Sequence, residues 1–115
     1  MAEVRSQSPR GGNATVLRGE VYWVDAPGGP RPAVVVSADR YNQARINTVV
    51  VATITHTPAN GRPGRVSIDF NGSEKAVNTN GIYTILKSDL REYIARLDLI
   101  EMETVDFELN RSLFN

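Results

Sequence analysis

Arg31-Pro-Ala-Val-Val-Val-Ser37 and Thr48-Val-Val-Val-Ala-Thr-Ile-Thr55 decide how this chain is read. Both runs are β-branched and too continuously apolar for a half-exposed strand, so each is expected to be a strand covered on both faces or nearly so. Each also ends on a polar residue: Arg31 opens the first and Thr55 closes the second. If the strands pair antiparallel, the start of one lies beside the end of the other. Arg31 and Thr55 then share one rim of the sheet, where a guanidinium and a hydroxyl make a plausible anion site.

Working outward, Arg18-Gly-Glu-Val-Tyr-Trp-Val-Asp25 is the expected first strand. Tyr22 and Trp23 must face opposite ways because side chains alternate along a strand. Trp23 is expected in the core and Tyr22 at the end of the sheet. Ala26-Pro-Gly-Gly-Pro30 is a turn with two glycines and two prolines, suited to shaping a groove edge beside Arg31. A helical turn from Asp39 precedes the second apolar run. His56-Thr-Pro-Ala-Asn-Gly-Arg-Pro-Gly64 is a surface loop of the kind that often carries function on a rigid sheet. Arg65-Val-Ser-Ile-Asp-Phe70 alternates as a half-exposed strand, followed by the hairpin signal Asn71-Gly72. Ala76-Val77 and Ile82-Tyr-Thr-Ile-Leu86 form one interrupted strand, with a bend or bulge at residues 78–81. Ser88 is expected to cap a short turn, and Tyr93-Ile-Ala-Arg-Leu97 to be the last strand.

Asp98-Leu-Ile-Glu101 has the form of a capping box opening a terminal helix. Leu99, Met102, Val105, Leu109 and Leu113 make a core-facing stripe, while Ile100, Phe107 and Phe114 make a second stripe, read as core or as a dimer contact. Residues 1–17 have no period and are expected to be a disordered leader, leaving residues 18–115 as one domain. About six short strands and one terminal helix describe a mainly β (α+β) fold: a small, strongly bent sheet or barrel with a C-terminal helix.

Composition narrows the chemistry. The chain has no cysteine, which excludes disulfides, thiolate catalysis and thiolate metal sites. One histidine and no clustered carboxylates argue against a protein metal site, so neither metal nor cofactor is expected. No apolar stretch approaches a membrane span or a secretion signal, which makes a cytoplasmic protein the expectation. Net charge is zero, but residues 18–75 carry seven basic and five acidic side chains, and residues 87–115 four and seven. A polyanionic partner would therefore sit on the front of the chain.

One reaction fits this inventory. RNA carries its own nucleophile, the 2′-hydroxyl, so a protein need only orient the strand, handle protons and stabilise a phosphorane. Arginine suits the phosphate because its planar fork donates to two oxygens. Thr55 can orient a phosphate oxygen or the 2′-hydroxyl. His56, the adjacent residue, is a loop residue able to touch RNA or a possible general base, histidine being the side chain that titrates near neutrality. Taken singly, Arg31 also suits a surface ion pair with Asp25 or Glu20, and Thr55 is a common strand-ending residue.

Gly-Glu-Val-Tyr-Trp-Val-Asp at 19–25, Arg-Pro-Ala-Val-Val-Val-Ser at 31–37, Asn42, the run at 48–55, Val77-Asn78, Ile82-Tyr-Thr84 and Lys87-Ser-Asp-Leu90 together resemble the MazF/PemK (Kid) toxins of toxin–antitoxin pairs. The resemblance covers about residues 18–113. It implies an SH3-like β-barrel homodimer acting as a metal-independent, sequence-specific endoribonuclease on single-stranded RNA, with 2′,3′-cyclic phosphate and 5′-hydroxyl products. It further implies a cognate antitoxin covering the RNA groove. The family's catalytic arginine falls on Arg31 and its catalytic threonine on Thr55. Gly28, Gly29, His56, Thr57, Asn78, Asn80 and Gly81 are the corresponding candidates for RNA contact. The chain departs from the family pattern where a longer glycine-rich insert is reduced to Gly28-Gly29-Pro30, and where the family's glutamine is Gly81. His56 stands for a small polar residue and Asn80 for an acidic one. The competing reading is a non-catalytic SH3-like module that binds nucleic acid or, like the CcdB toxins, a topoisomerase.

Overall fold

The structure, a computed structural model, describes residues 15–26 and 28–114. Its elements are β1 (Glu20–Ala26), β2 (Gly29–Val35), α1 (Asp39–Gln43), β3 (Thr48–Thr55), β4 (Arg65–Phe70), β5 (Ser73–Leu86), β6 (Leu90–Arg96) and α2 (Leu99–Phe114). A single 3-10 turn, Lys87–Asp89, joins β5 to β6; Ser88 does not cap it through its side chain. The six strands form one antiparallel sheet in the order β4-β5-β3-β2-β1-β6. The mainly β fold with a C-terminal helix is therefore as expected, although no ladder joins the edge strands β4 and β6 and the sheet stays open.

The two apolar runs are central neighbours, β2 and β3, and both faces of the sheet bury a cluster around them. On one face, Val21, Val34, Ala52 and Ile54 pack with Val66, Ile68 and Phe70 of β4, Ala95 of β6, and Met102 and Val105 of α2. Both edge strands feed this cluster, so the sheet curls around the helix. On the other face lie Tyr22, Val24, Ala33, Val35, Val49, Val51, Leu90 and Tyr93. Valine-rich strands buried on both sides read as continuous runs because neither parity is exposed.

Tyr22 and Trp23 occupy the reverse of their expected places. Tyr22 is fully buried, meeting Tyr93 edge-on at 5.6 Å and donating to Glu20 Oε1 at 3.0 Å, while Trp23 is 38% exposed. The tyrosine can be buried because a carboxylate beside it takes its hydroxyl. Of the expected leader, residues 1–14 lie outside the described part. Val16 belongs to the core, buried in the second cluster, and the Leu17 N–H donates to Glu20 Oε1 at 2.7 Å.

Residues 98–101 do form a capping box: the Glu101 N–H donates to Asp98 Oδ1 at 2.8 Å and the Asp98 N–H to Glu101 Oε1 at 3.1 Å. Glu101 Oε2 also accepts the Asp69 N–H at 3.0 Å, which ties the helix start to β4. Arg18 pairs with Asp106 further along the helix. Met102 and Val105 are core as expected, but Leu99 is 74% and Ile100 75% exposed, and Phe107 is exposed as well. Leu99 and Ile100 sit in the first turn, where the box and its tie to β4 set the helix rotation and turn them outward. The side chains of Leu113 and Phe114 lie outside the described residues.

Candidate active site

β3 and β5 pair in register except at one point. Ala52 faces Ile82 and Ile54 faces Val77, so residues 78–81 of β5 bow out opposite the single residue Thr53. This is the bend expected from the Asn-Thr-Asn-Gly sequence, and it opens a cleft of about 200 Å³ lined by Ala26, Arg31, Thr53, Asn78, Gly81 and Tyr83.

The cleft lies on the face of the second cluster. Arg31 shares its side of β2 with Ala33 and Val35, and Thr53 shares its side of β3 with Val49 and Val51. The apolar floor thus ends where the polar wall begins. Ala33 and Thr53 are the outermost paired residues of β2 and β3; continuing that register two residues sets Arg31 opposite Thr55. The ladder ends before it reaches Arg31 and Thr55, and of the two only Arg31 lines the cleft.

Arg31 is half-buried, and among the described residues no carboxylate pairs with it. The expected alternatives are occupied elsewhere: Asp25 is held by Arg91 at 2.6 Å, and Glu20 is buried beside Tyr22. Gly28 stands next to the guanidinium, since a Cβ there would lie 3.6 Å from Arg31 Nη2. Gly28 and Gly29 both adopt positive φ, 90° and 118°, a conformation that favours glycine and fixes the tight approach to β2.

Asn78 is half-buried. Its Oδ1 accepts from Arg65 Nη1 at 2.5 Å and from the Asn80 N–H at 2.9 Å. Gly81 leaves room between its neighbours: a Cβ would lie 2.6 Å from Thr53 Oγ1 and 2.9 Å from Asn78 Nδ2. The cleft therefore presents a guanidinium, a hydroxyl and an amide around a bare backbone segment.

Of the candidate residues, the structure brings Arg31, Asn78 and Gly81 together, with Gly28 beside Arg31. Thr55 lies one step beyond the cleft wall. Its Oγ1 is within reach of two carbonyls, Thr57 O at 2.9 Å and Ala76 O at 3.3 Å. His56 and Thr57 are exposed past the strand end and do not line the cleft. Asn80 turns its side chain against Gly64 and contributes its backbone N–H to Asn78. Two wall residues escaped the sequence reading. Thr53 hides in a β-branched run where threonine passes for a strand former; its signal was parity, since it continues the Val49-Val51 column. Tyr83 was read only as a strand residue, yet it pairs with Val51 and remains 42% exposed.

Residues 17–113 match the family model described as PemK-like, MazF-like toxin of type II toxin-antitoxin system. The chain belongs to this toxin family. Among curated relatives, Endoribonuclease MazF2 of Mycobacterium bovis is 32% identical over 110 residues, covering 85% of this chain and 96% of that protein. Probable endoribonuclease MazF2 of Mycobacterium tuberculosis is 34% identical over 87 residues, 70% of this chain and 80% of that one. A solved endoribonuclease from a mycobacterial species superposes with a TM-score of 0.75 at 26% identity, covering 86% of this chain and 91% of its own. Another, solved in complex with its cognate antitoxin, gives 0.72 at 26% identity, covering 86% and 93%. This MazF-like toxin thus presents Arg31 in an open cleft. Among its described residues no helix is long and apolar enough to cross a membrane.

Proposed function

We propose that this chain is the toxin of a type II pair and acts as a metal-independent, sequence-specific endoribonuclease on single-stranded RNA in the cytoplasm. The observation that carries the reading is Arg31: a half-buried guanidinium in a cleft, with no carboxylate partner among the described residues. A guanidinium open to the cleft and without an internal partner is free to donate to an incoming anion, and an RNA phosphate fits its planar fork.

In the proposed reaction the 2′-oxygen bonds to the adjacent phosphorus and the P–O5′ bond breaks, leaving a 2′,3′-cyclic phosphate and a 5′-hydroxyl. Arg31 donates to the non-bridging oxygens as the phosphorane gains charge. Thr55 hydrogen-bonds toward backbone carbonyls, so its oxygen offers lone pairs to hold the 2′-hydroxyl rather than a proton to give away. His56, next to Thr55 at the strand end, is proposed to take the 2′ proton, while water protonates O5′. Gly28, Gly29 and Thr57 edge the bound strand. The exposed Leu99, Ile100 and Phe107 of α2 support a homodimer, and the relative solved with its cognate antitoxin supports an antitoxin partner here.

The test is to incubate the purified chain with RNA in excess chelator and to analyse the new ends. Cyclic phosphate and 5′-hydroxyl termini are expected. A requirement for divalent metal, or binding without cleavage, overturns the reading.

A further inference from the structure

An asparagine amide offers an acceptor on one side and a donor on the other, and which side faces a ligand is normally free to change. At Asn78 it is not. The Arg65 guanidinium, 2.5 Å away, and the Asn80 backbone N–H, 2.9 Å away, approach the same side of the amide. Both are donors and neither can accept. A flipped amide would set its NH2 against two N–H groups and lose both bonds. The oxygen is therefore pinned outward, and the nitrogen is turned to the cleft side, where it would lie 2.9 Å from a Cβ on Gly81. Because residue 81 is glycine, that amide nitrogen stays uncovered. The bracing residue is Asn78's cross-strand partner, Arg65, so the brace is built into the β4–β5 register.

We propose that Asn78 reads one base of the bound RNA strictly as a hydrogen-bond donor, and that Arg65 is the positioning residue that sets this polarity. The inference rests on the endoribonuclease reading above. At position 6 of a purine or position 4 of a pyrimidine, a donor selects the carbonyl oxygen of guanine or uracil and opposes the amino group of adenine or cytosine. Two features of the cleft favour a base over a second phosphate contact. Arg31 already supplies the charged fork for phosphate, whereas Asn78 is neutral. Tyr83, exposed on the same wall, gives a base an aromatic face to stack on.

The experiment incubates the full chain with a randomised RNA pool and sequences the cut ends. Wild type should show uracil or guanine enriched roughly tenfold over cytosine and adenine at one position beside the cut, the discrimination of one well-made hydrogen bond. Asn78→Asp keeps an oxygen for Arg65 and Asn80 but turns an acceptor to the cleft, so the preference at that position should reverse toward cytosine and adenine. Arg65→Met should flatten the preference there, and Arg65→Lys should restore it. The base profile is read independently of total rate. Wild type that cuts RNA with no carbonyl-base preference, or Asn78→Asp with the wild-type profile, overturns this inference alone. Should Asn78→Asp fail to fold, Arg65→Met decides, and an unchanged profile there also overturns it. Wild type that cuts no RNA overturns the endoribonuclease reading, and this inference with it.

Discussion

Gly81→Ala places one methyl group where the cleft has no room. The new Cβ would sit 2.6 Å from Thr53 Oγ1 and 2.9 Å from Asn78 Nδ2. Gly81 is not among the positive-φ glycines, so backbone strain plays no part and the cost is steric. Thr53 is buried and cannot swing away freely. Overpacking of this kind costs about 1–3 kcal/mol. For a domain of this size that lowers the melting temperature by on the order of 5–15 °C. Thr53→Ala alone removes a hydroxyl and a methyl; its bond to Gly81 O is long at 3.5 Å, so the loss should be near 1 kcal/mol, mostly packing. The double variant Thr53→Ala/Gly81→Ala removes the worse of the two contacts. It should be more stable than the sum of the single changes by about 1 kcal/mol, well above the few tenths seen for independent sites. Relief is partial because the Asn78 contact remains. Thermal and urea unfolding of all four proteins completes the cycle. Additive single effects, or Gly81→Ala melting within a degree of wild type, would refute the packing described around the bow.

The Glu101 carboxylate takes backbone donors from both Asp98 and Asp69; Glu101→Ala should cost about 1–3 kcal/mol in urea unfolding by leaving two N–H groups unmet, and Glu101→Gln, which keeps one acceptor, should recover about half. RNA affinity should fall with salt, and Arg31→Ala should make the plot of log affinity against log salt shallower by about 0.7, the contribution of one phosphate contact on a single strand. An unchanged slope would mean that Arg31 meets no phosphate.

Much of the fold was legible because its strongest signals are local. The run from Thr48 to Thr55 and the alternating strand from Arg65 to Phe70 match β3 and β4 residue for residue, since β-branched content and period-two alternation depend on few neighbours. The Asp98–Glu101 box was legible for the same reason. What escaped depends on partners distant in sequence. Alternation says that Tyr22 and Trp23 face opposite ways, but which one is buried was settled by Glu20 and Tyr93. Val16 looked like part of a shapeless leader because nothing near it in sequence marks the cluster it enters. Leu99 matched the helical stripe, yet the tie from Glu101 to Asp69 turns it outward. At the site, the Arg31 end of its strand, singled out in the sequence, lines the cleft without Thr55, and the polar bend at residues 78–81 was visible in the sequence. That the bend would lie over Thr53, and that Arg65 would fix the Asn78 amide, needed the β3–β5 and β4–β5 registers, which sequence pattern leaves open.

The proposed role of Arg31 is to hold the phosphate at which RNA is cut. Its most direct test is single-turnover cleavage of a defined RNA in excess chelator by wild type and Arg31→Ala, with folding of both checked by thermal unfolding. The Arg31→Ala protein should fold, and its rate should fall by about 10²–10³-fold, the loss typical of one electrostatic donor at a developing charge. A folded variant that cuts at the wild-type rate would contradict that role.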